Sequence, residues 1–310
     1  MAKKMRNALI LAKTEVTYGT DPVPTGAANA MLVKGIAPQP LSAEFADRDL
    51  IKPYFGGSEQ LLASVHSEVE FEIEIAGSGA AGTAPAWAPL LKACAFGETI
   101  TAATDVVYKP ITDSITSVTI YYYLDGLLHK MTGARGTVSL GLSPKGIPTF
   151  KFKFLGKYNE PTDATQPTDA DFSDFLTPLV VNTINTPSWS LHGYTGNLSA
   201  LSIDVANDVI YRELIGTSGV EITNRKPVGS ATFELGTVAA KNWAETITDG
   251  TTGALALTHG TAAGNIIQIA APKAQLSSPS YSDDNGVAML SISMSLVPDD
   301  GNDELVITVK

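Results

Sequence analysis

The residues best able to do chemistry in this chain are few, and their spacing argues against a reaction. Gly77-Ser78-Gly79-Ala80-Ala81-Gly82 spells G-x-G-x-x-G, the glycine pattern that lets a backbone approach a dinucleotide pyrophosphate. A dinucleotide fold places that loop after a buried parallel strand, which reads as an unbroken apolar run, and follows it with further βα units. Here the preceding segment carries Glu68, Glu70, Glu72 and Glu74 at every second position, and no βα alternation follows. A flexible Gly/Ala loop is the better reading, and no cofactor is expected. His66, His129, His192 and His259 stand far apart, without the short spacing of metal ligands, and read as surface or hydrogen-bonded structural residues. Asp283-Asp284-Asn285-Gly286 and Asp299-Asp300-Gly301-Asn302-Asp303 lack the alternating ligands and terminal Glu of a calcium loop. They read as solvated turns, so no metal is expected. No Ser, Cys or carboxylate pair occupies a nucleophile or acid–base context, and no catalytic residue is expected. Cys94, between Ala93 and Ala95-Phe96, reads as a small buried hydrophobe.

The glutamate ladder is the most organised charged feature. Four carboxylates with period two share one face of a strand, roughly 6.5–7 Å apart, and that face cannot pack on a core unless cations oppose it. Two readings stay open. Glu68, Glu70, Glu72 and Glu74 form a solvent face paired with Lys151 and Lys153 of a neighbouring strand, or they line an aqueous channel where their charge keeps a polyanion from adhering.

The elements that position these residues are strands. Period-two alternation predicts strands over 68–76, 115–123, 136–142, 149–155, 188–192, 198–205, 230–235, 264–270, 287–297 and 304–309. Asp125-Gly126 between Tyr123-Leu124 and Leu127-Leu128 predicts a tight hairpin turn. Helix is expected only at 87–96, where prolines precede and Gly97 follows, and at 238–247. Segments 14–40, 159–187 and 275–286, rich in Pro, Gly, Ser, Thr and Asp, are expected to be loops or arms. The stretch up to about residue 40 and the loop 76–86 show no core pattern of their own and are expected to become ordered against a neighbouring subunit.

Composition agrees with a packed β protein. The chain has 310 residues, 44% apolar and 17% charged, enough for two buried cores. Its formal net charge of −11 argues against tight nucleic-acid binding, because affinity for phosphate comes from Lys and Arg displacing counterions. The start, Lys3-Lys4 and Arg6 before Ala8–Ala12, is too short an apolar run for a signal peptide, and no stretch is long enough for a membrane span. A soluble protein made inside the cell is expected.

The chain also repeats itself. Leu41-Ser42-Ala43-Glu44-Phe45, then Leu50-Ile51, Gly56-Gly57-Ser58 and the ladder strand are matched in order by Leu201-Ser202-Ile203-Asp204-Val205, Val209-Ile210, Gly216-Thr217-Ser218 and Ala231–Leu235. Trp87 and Trp243 follow at comparable places, and each half closes on a turn and an alternating strand, 145–154 and 285–294. This predicts one domain over 1–158 with an N-terminal arm, a linker over 159–187, and a second domain over 188–310. Two units are too few for a solenoid, whereas duplicated domains in adjacent places of a ring suit the pattern.

At Thr17-Tyr18-Gly19-Thr20-Asp21-Pro22, Asp47-Arg48-Asp49-Leu50, the block from Ala76-Gly77-Ser78-Gly79 to Pro85-Ala86-Trp87-Ala88-Pro89-Leu90-Leu91, Leu128–Gly136 and Tyr281–Ala288, the chain resembles the major tail tube proteins of long-tailed, non-contractile bacteriophages. The resemblance implies a β-sandwich or part-barrel flanked by one helix, whose long strands join those of neighbours in an inner β-barrel. It implies a structural virion protein, assembled in the bacterial cytoplasm, whose stacked rings enclose a tape-measure protein, meet tail terminator and distal tail proteins, and conduct DNA. Single-domain members form six-membered rings, so two domains per chain imply a homotrimer with pseudo-sixfold symmetry, with a plain hexamer as the alternative. Glu68, Glu70, Glu72 and Glu74 then become candidates for the lumen, and Gly77, Ser78, Gly79 and Gly82 for ring stacking. A carbohydrate-binding β-sandwich module and a hydrolase on a β scaffold are the readings from other classes. The first needs an exposed aromatic platform and the second a catalytic set.

Overall fold

The computed structural model describes residues 2–310. Its first half runs β1 (Ala8–Thr14), α1 (Gly26–Asn29), β2 (Ala30–Met31), β3 (Lys34–Asp47), β4 (Gln60–Glu74), α2 (Ala88–Lys92), β5 (Phe96–Thr101), β6 (Asp105–Pro110), β7 (Val118–Leu124), β8 (Leu127–Leu142) and β9 (Thr149–Tyr158). The remainder runs β10 (Thr162–Asp163), β11 (Ser188–Leu191), β12 (Leu198–Asp204), β13 (Asn207–Leu214), β14 (Thr217–Arg225), β15 (Val228–Glu234), α3 (Trp243–Thr248), β16 (Thr252–His259), β17 (Ile267–Asp284), β18 (Val287–Val297) and β19 (Val306–Val309). The protein is mainly β, as its alternation predicts. Asp125-Gly126 turns β7 into β8 with φ of 44° and 87°, and Asn285-Gly286 turns β17 into β18 with 54° and 87°. Both dipeptides tolerate the left-handed conformations that two-residue hairpins require.

Several elements depart from expectation, among them strands β1, β5, β6, β13, β14 and β16, which the alternation did not mark. The helix foreseen over 87–96 ends at Lys92, because Ala95 adopts a φ of 62° and Phe96 already begins β5. The helix foreseen over 238–247 starts only at Trp243, where the Asn242 side chain accepts the Glu245 N–H as its cap. Segments 14–40 and 275–286, foreseen as loops, contain the start of β3 and the distal half of β17. Pairing fixes these residues, not burial: Ser277–Asp284 are exposed yet bonded to β18, with Pro279 at the register shift between Ser277 and Ser280, where a ladder tolerates it.

Eight strands form one antiparallel sheet in the order β3-β4-β9-β8-β12-β15-β18-β17. Register is kept across it. Ile73, Phe150, Leu140, Ile203, Gly229, Met294 and Leu276 lie directly opposite one another in turn and point to the core. The adjacent row, Lys34, Glu72, Lys151, Ser139, Asp204, Val228, Ser295 and Gln275, occupies the other face. The buried face is covered by α2, β5 and β6 in the first half and by α3, β11 and β16 in the second. Trp87 stands 5.1 Å from Phe150 and 5.5 Å from Tyr108, while Trp243 stands 5.1 Å from Phe233. β19 pairs with both β17 and β6, so the two halves share one continuous core.

The N-terminal stretch makes extensive contacts within its own chain. β1 is buried between β2 and β7, and Glu15, almost fully buried, accepts hydrogen bonds from Ser117 Oγ, Thr119 Oγ1 and the amides of Gly19 and Gly133. The loop 76–86 is likewise anchored within the chain, by Gly77 N–H to Asn265 Oδ1 (2.7 Å) and Gly79 N–H to the Gly264 carbonyl (3.0 Å). These partners lie in the first half for the N-terminal stretch and in the second for the loop, at separations that local composition does not show.

Phe152 is fully enclosed between Phe71, Phe150 and Phe154, with ring centroids 5.7–6.0 Å away. Phe152→Ala is expected to lower stability by about 3–5 kcal/mol, read as a shift in the denaturant midpoint at unchanged slope. A loss under about 1 kcal/mol would show that the sheet does not depend on this packing.

Candidate assembly site

The polar face of the eight-stranded sheet has two chemistries. In the first half, the ladder is opposed by lysines. Lys153 lies 3.3 Å from Glu68 and 3.5 Å from Glu70, Lys151 lies 3.5 Å from Glu70, and Lys34 lies 4.0 Å from Glu72. Glu70 faces Lys153 and Glu72 faces Lys151 directly across the β4–β9 ladder. Partial desolvation works against the charge on Lys153, but the carboxylates of Glu68 and Glu70 outweigh it and hold the ammonium above its ordinary pKa. Glu74, opposite Thr149, has no such partner among the described residues. In the second half the same face is built from hydroxyls. Ser202, Ser230, Ser293 and Ser277 lie opposite one another in one row, with Ser202 Oγ 3.3 Å from Ser230 Oγ and Thr232 Oγ1 3.2 Å from Ser291 Oγ. The Ser291-Ile292-Ser293-Met294-Ser295-Leu296 alternation carried that signal in the sequence.

The two ends of this sheet are open. β3 pairs only with β4, and Ser277–Asp284 of β17 pair only with β18. Within the chain, the comparable edges are joined: β12 pairs with β8 through Leu201–Leu142, Ser202–Gly141, Ile203–Leu140 and Asp204–Ser139. The order β3-β4-β9-β8 is thus followed by the same order of connections in β12-β15-β18-β17.

The other residues singled out in the sequence serve the fold. An added Cβ at Gly77 would lie 2.0 Å from the Gly264 carbonyl oxygen, and one at Gly82 would lie 2.3 Å from the Ala103 amide. Gly79 and Gly82 hold φ of 86° and 69°. These glycines permit close backbone approach inside the chain. Ser78 turns onto Ala80, and Gly79 and Ala80 form the loop's exposed outer side. His259 bonds Thr186 Oγ1 (2.9 Å) and the Leu179 carbonyl (3.2 Å), tying segment 159–187 to β16. Burial holds its imidazole below the usual pKa, against the opposing pull of that carbonyl. Cys94 is buried, and burial pushes its thiol well up. Trp87 and Trp243 are buried and Trp189 packs against Phe233, so the tryptophans form no exposed platform for a sugar. Among the described residues, no three His, Cys, Asp or Glu side chains converge as a metal site would require, and no helix is long and apolar enough to cross a membrane.

Residues 5–296 match the phage tail tube protein family. The chain belongs to that family. It is therefore a structural component of a phage tail that assembles with itself. No curated protein is significantly similar to it.

The ladder yields a charge test. Lys153→Glu places like charges directly opposite one another and is expected to cost about 1 kcal/mol. Raising ionic strength to about 0.5 M should recover most of that loss through screening. A salt-independent loss would show that Lys153 acts through packing of its stem.

Proposed function

We propose that this tail tube protein forms rings of three copies, which stack into a tube that encloses a tape-measure protein and later conducts DNA. The observation that carries the reading is the β8–β12 pairing, which joins two similarly ordered four-stranded units inside one chain while leaving the equivalent edges free at both ends. Repeating that junction between chains, from β17 of one copy to β3 of the next, satisfies the edges that would otherwise invite uncontrolled pairing. Each unit takes one of six places, so three chains close the ring with pseudo-sixfold symmetry, and residues 1–158 and 188–310 are two copies of one domain joined by 159–187.

Three eight-stranded sheets make a barrel of 24 strands. Barrels of about 16–18 strands already leave an aqueous channel, and strands about 4.8 Å apart tilted by about 40° put opposite walls of this one about 50 Å apart. The polar face lines that channel. Glu68, Glu70 and Glu72 repel phosphate weakly because lysines offset them, Glu74 adds one unpaired carboxylate, and the hydroxyls of the second half offer no cation for phosphate to hold. DNA slides where neither attraction nor strong repulsion acts. Gly77, Ser78, Gly79 and Gly82 support ring stacking through the exposed side of their loop, and the tube's ends meet terminator and distal tail proteins. Assembly takes place in the host cytoplasm and the product resides in the virion tail.

Native mass spectrometry with electron microscopy tests the ring: three chains per ring are expected, and six would overturn the trimer. The lumen is tested by Ser293→Cys. In assembled tubes a small maleimide should react much faster than a bulky polymer-linked one, while equal rates would put this face outside.

A further inference from the structure

One interface inside the chain shows how neighbouring units grip each other beyond strand pairing. The segment linking β12 to β15 folds into the β13–β14 hairpin and docks on the first half. Val220 is fully buried there, its N–H donating to the Tyr18 hydroxyl (2.6 Å) and its carbonyl accepting from Arg135 (2.9 Å). Arg135 also pairs with Glu221 at 2.7 Å, and the Asn207 amide donates to the carbonyls of Cys94 (2.8 Å) and Gly136 (3.0 Å). The receiving ground is the irregular stretch of β8 around Gly133, whose φ is 61°.

The corresponding segment of the first half, between β3 and β4, has no such seat. Phe45, Ile51, Tyr54 and Phe55 at its tip are 54%, 103%, 68% and 109% exposed. At the far end of the sheet stands the counterpart of the receiving ground, also vacant. β17 shifts register between Ser277 and Ser280, where Ser278 has a φ of 48°, and the exposed Tyr281 and Leu235 lie on the side of Leu290 at the β17–β18 hairpin. Two apolar patches at opposite ends of one sheet cannot meet within a copy. They can meet between copies, next to the two open edges.

We propose that the β3–β4 hairpin of one copy docks on the β17–β18 hairpin of the next, around Tyr281 and Leu235, reproducing between chains what β13–β14 does within one. This rests on the tube reading for its ring but names its own contact. It makes the junction heterologous, with a hairpin side and a receiving side. The hairpin side chains are solvent-exposed in the single chain, so altering them leaves the core intact.

The test uses two full-length variants, I51E/F55E on the hairpin side and Y281E on the receiving side. Each alone should melt like the wild type yet need at least about 100-fold more protein to form rings. Mixed in equal amounts they should give complexes of two chains and stop, because only one junction of the pair is intact. Wild-type rings with either variant still closing normally, or a mixture without two-chain complexes, would overturn this docking alone. A wild type that stays monomeric at every concentration would overturn the tube reading with it.

Discussion

The structure depends on the register of one short antiparallel junction, Leu201–Asp204 of β12 against Leu142–Ser139 of β8. Side chains alternate across a sheet with period two, so a slip of one residue there would turn Ile203 outward and bury Ser202 and Asp204. The junction instead carries the core row from Ile73 and Phe150 through Leu140 and Ile203 to Met294 and Leu276 without a break. Everything that gives this protein a polar face and a packed face follows from that continuity. The covering layers obey the same constraint, because Trp87 and Trp243 can fill the core only where the inward rows deliver Phe150 and Phe233 to them.

Open edges and the polar face are parts of one physical problem. A broad sheet with one solvated side needs polar residues on that side, and its ends need partners or deterrents. The ends of this sheet mix deterrents with apolar side chains: β3 includes Lys34, Pro38 and Pro40 beside Phe45, and the free part of β17 includes Pro279, Asp283 and Asp284 beside Tyr281. The polar face meets its requirement differently in each half, by Glu68, Glu70 and Glu72 opposed by lysines in one and mainly by hydroxyls in the other, with Glu74 and Asp204 left without an opposing cation among the described residues. The formal charge of −11 is therefore a poor guide to this surface, where Lys34, Lys151 and Lys153 stand against the glutamates.

Glycines hold close contacts between the halves, and a buried polar network holds one within the first half. Gly77 and Gly264 meet at a separation no side chain would allow, and Glu15 gathers four donors from three separate segments. Buried carboxylates are tolerated when their oxygens are fully bonded, and such a network also fixes the irregular stretch of β8 at Gly133 on which the β13–β14 hairpin rests.

The sequence by itself determined the strand-rich class, the Asp125-Gly126 turn, the alternation of the glutamate ladder, the absence of dinucleotide-type βα patterning after Gly77 and a resemblance to tail tube proteins. Each is a local matter, set by period-two alternation, turn chemistry or short motifs within a few residues. Only the tertiary structure decided that Ser277–Asp284 is strand and that residues 76–86 rest on 260–265. It alone placed Lys153 between Glu68 and Glu70 and aligned Ser293 with the ladder face across six strands. The placement of Lys153 and the seat of residues 76–86 depend on partners more than 80 residues away, whose pairing leaves no mark on local composition, whereas Ser277–Asp284 is strand through its hairpin with β18, which its exposed polar residues and Pro279 hid from the alternation.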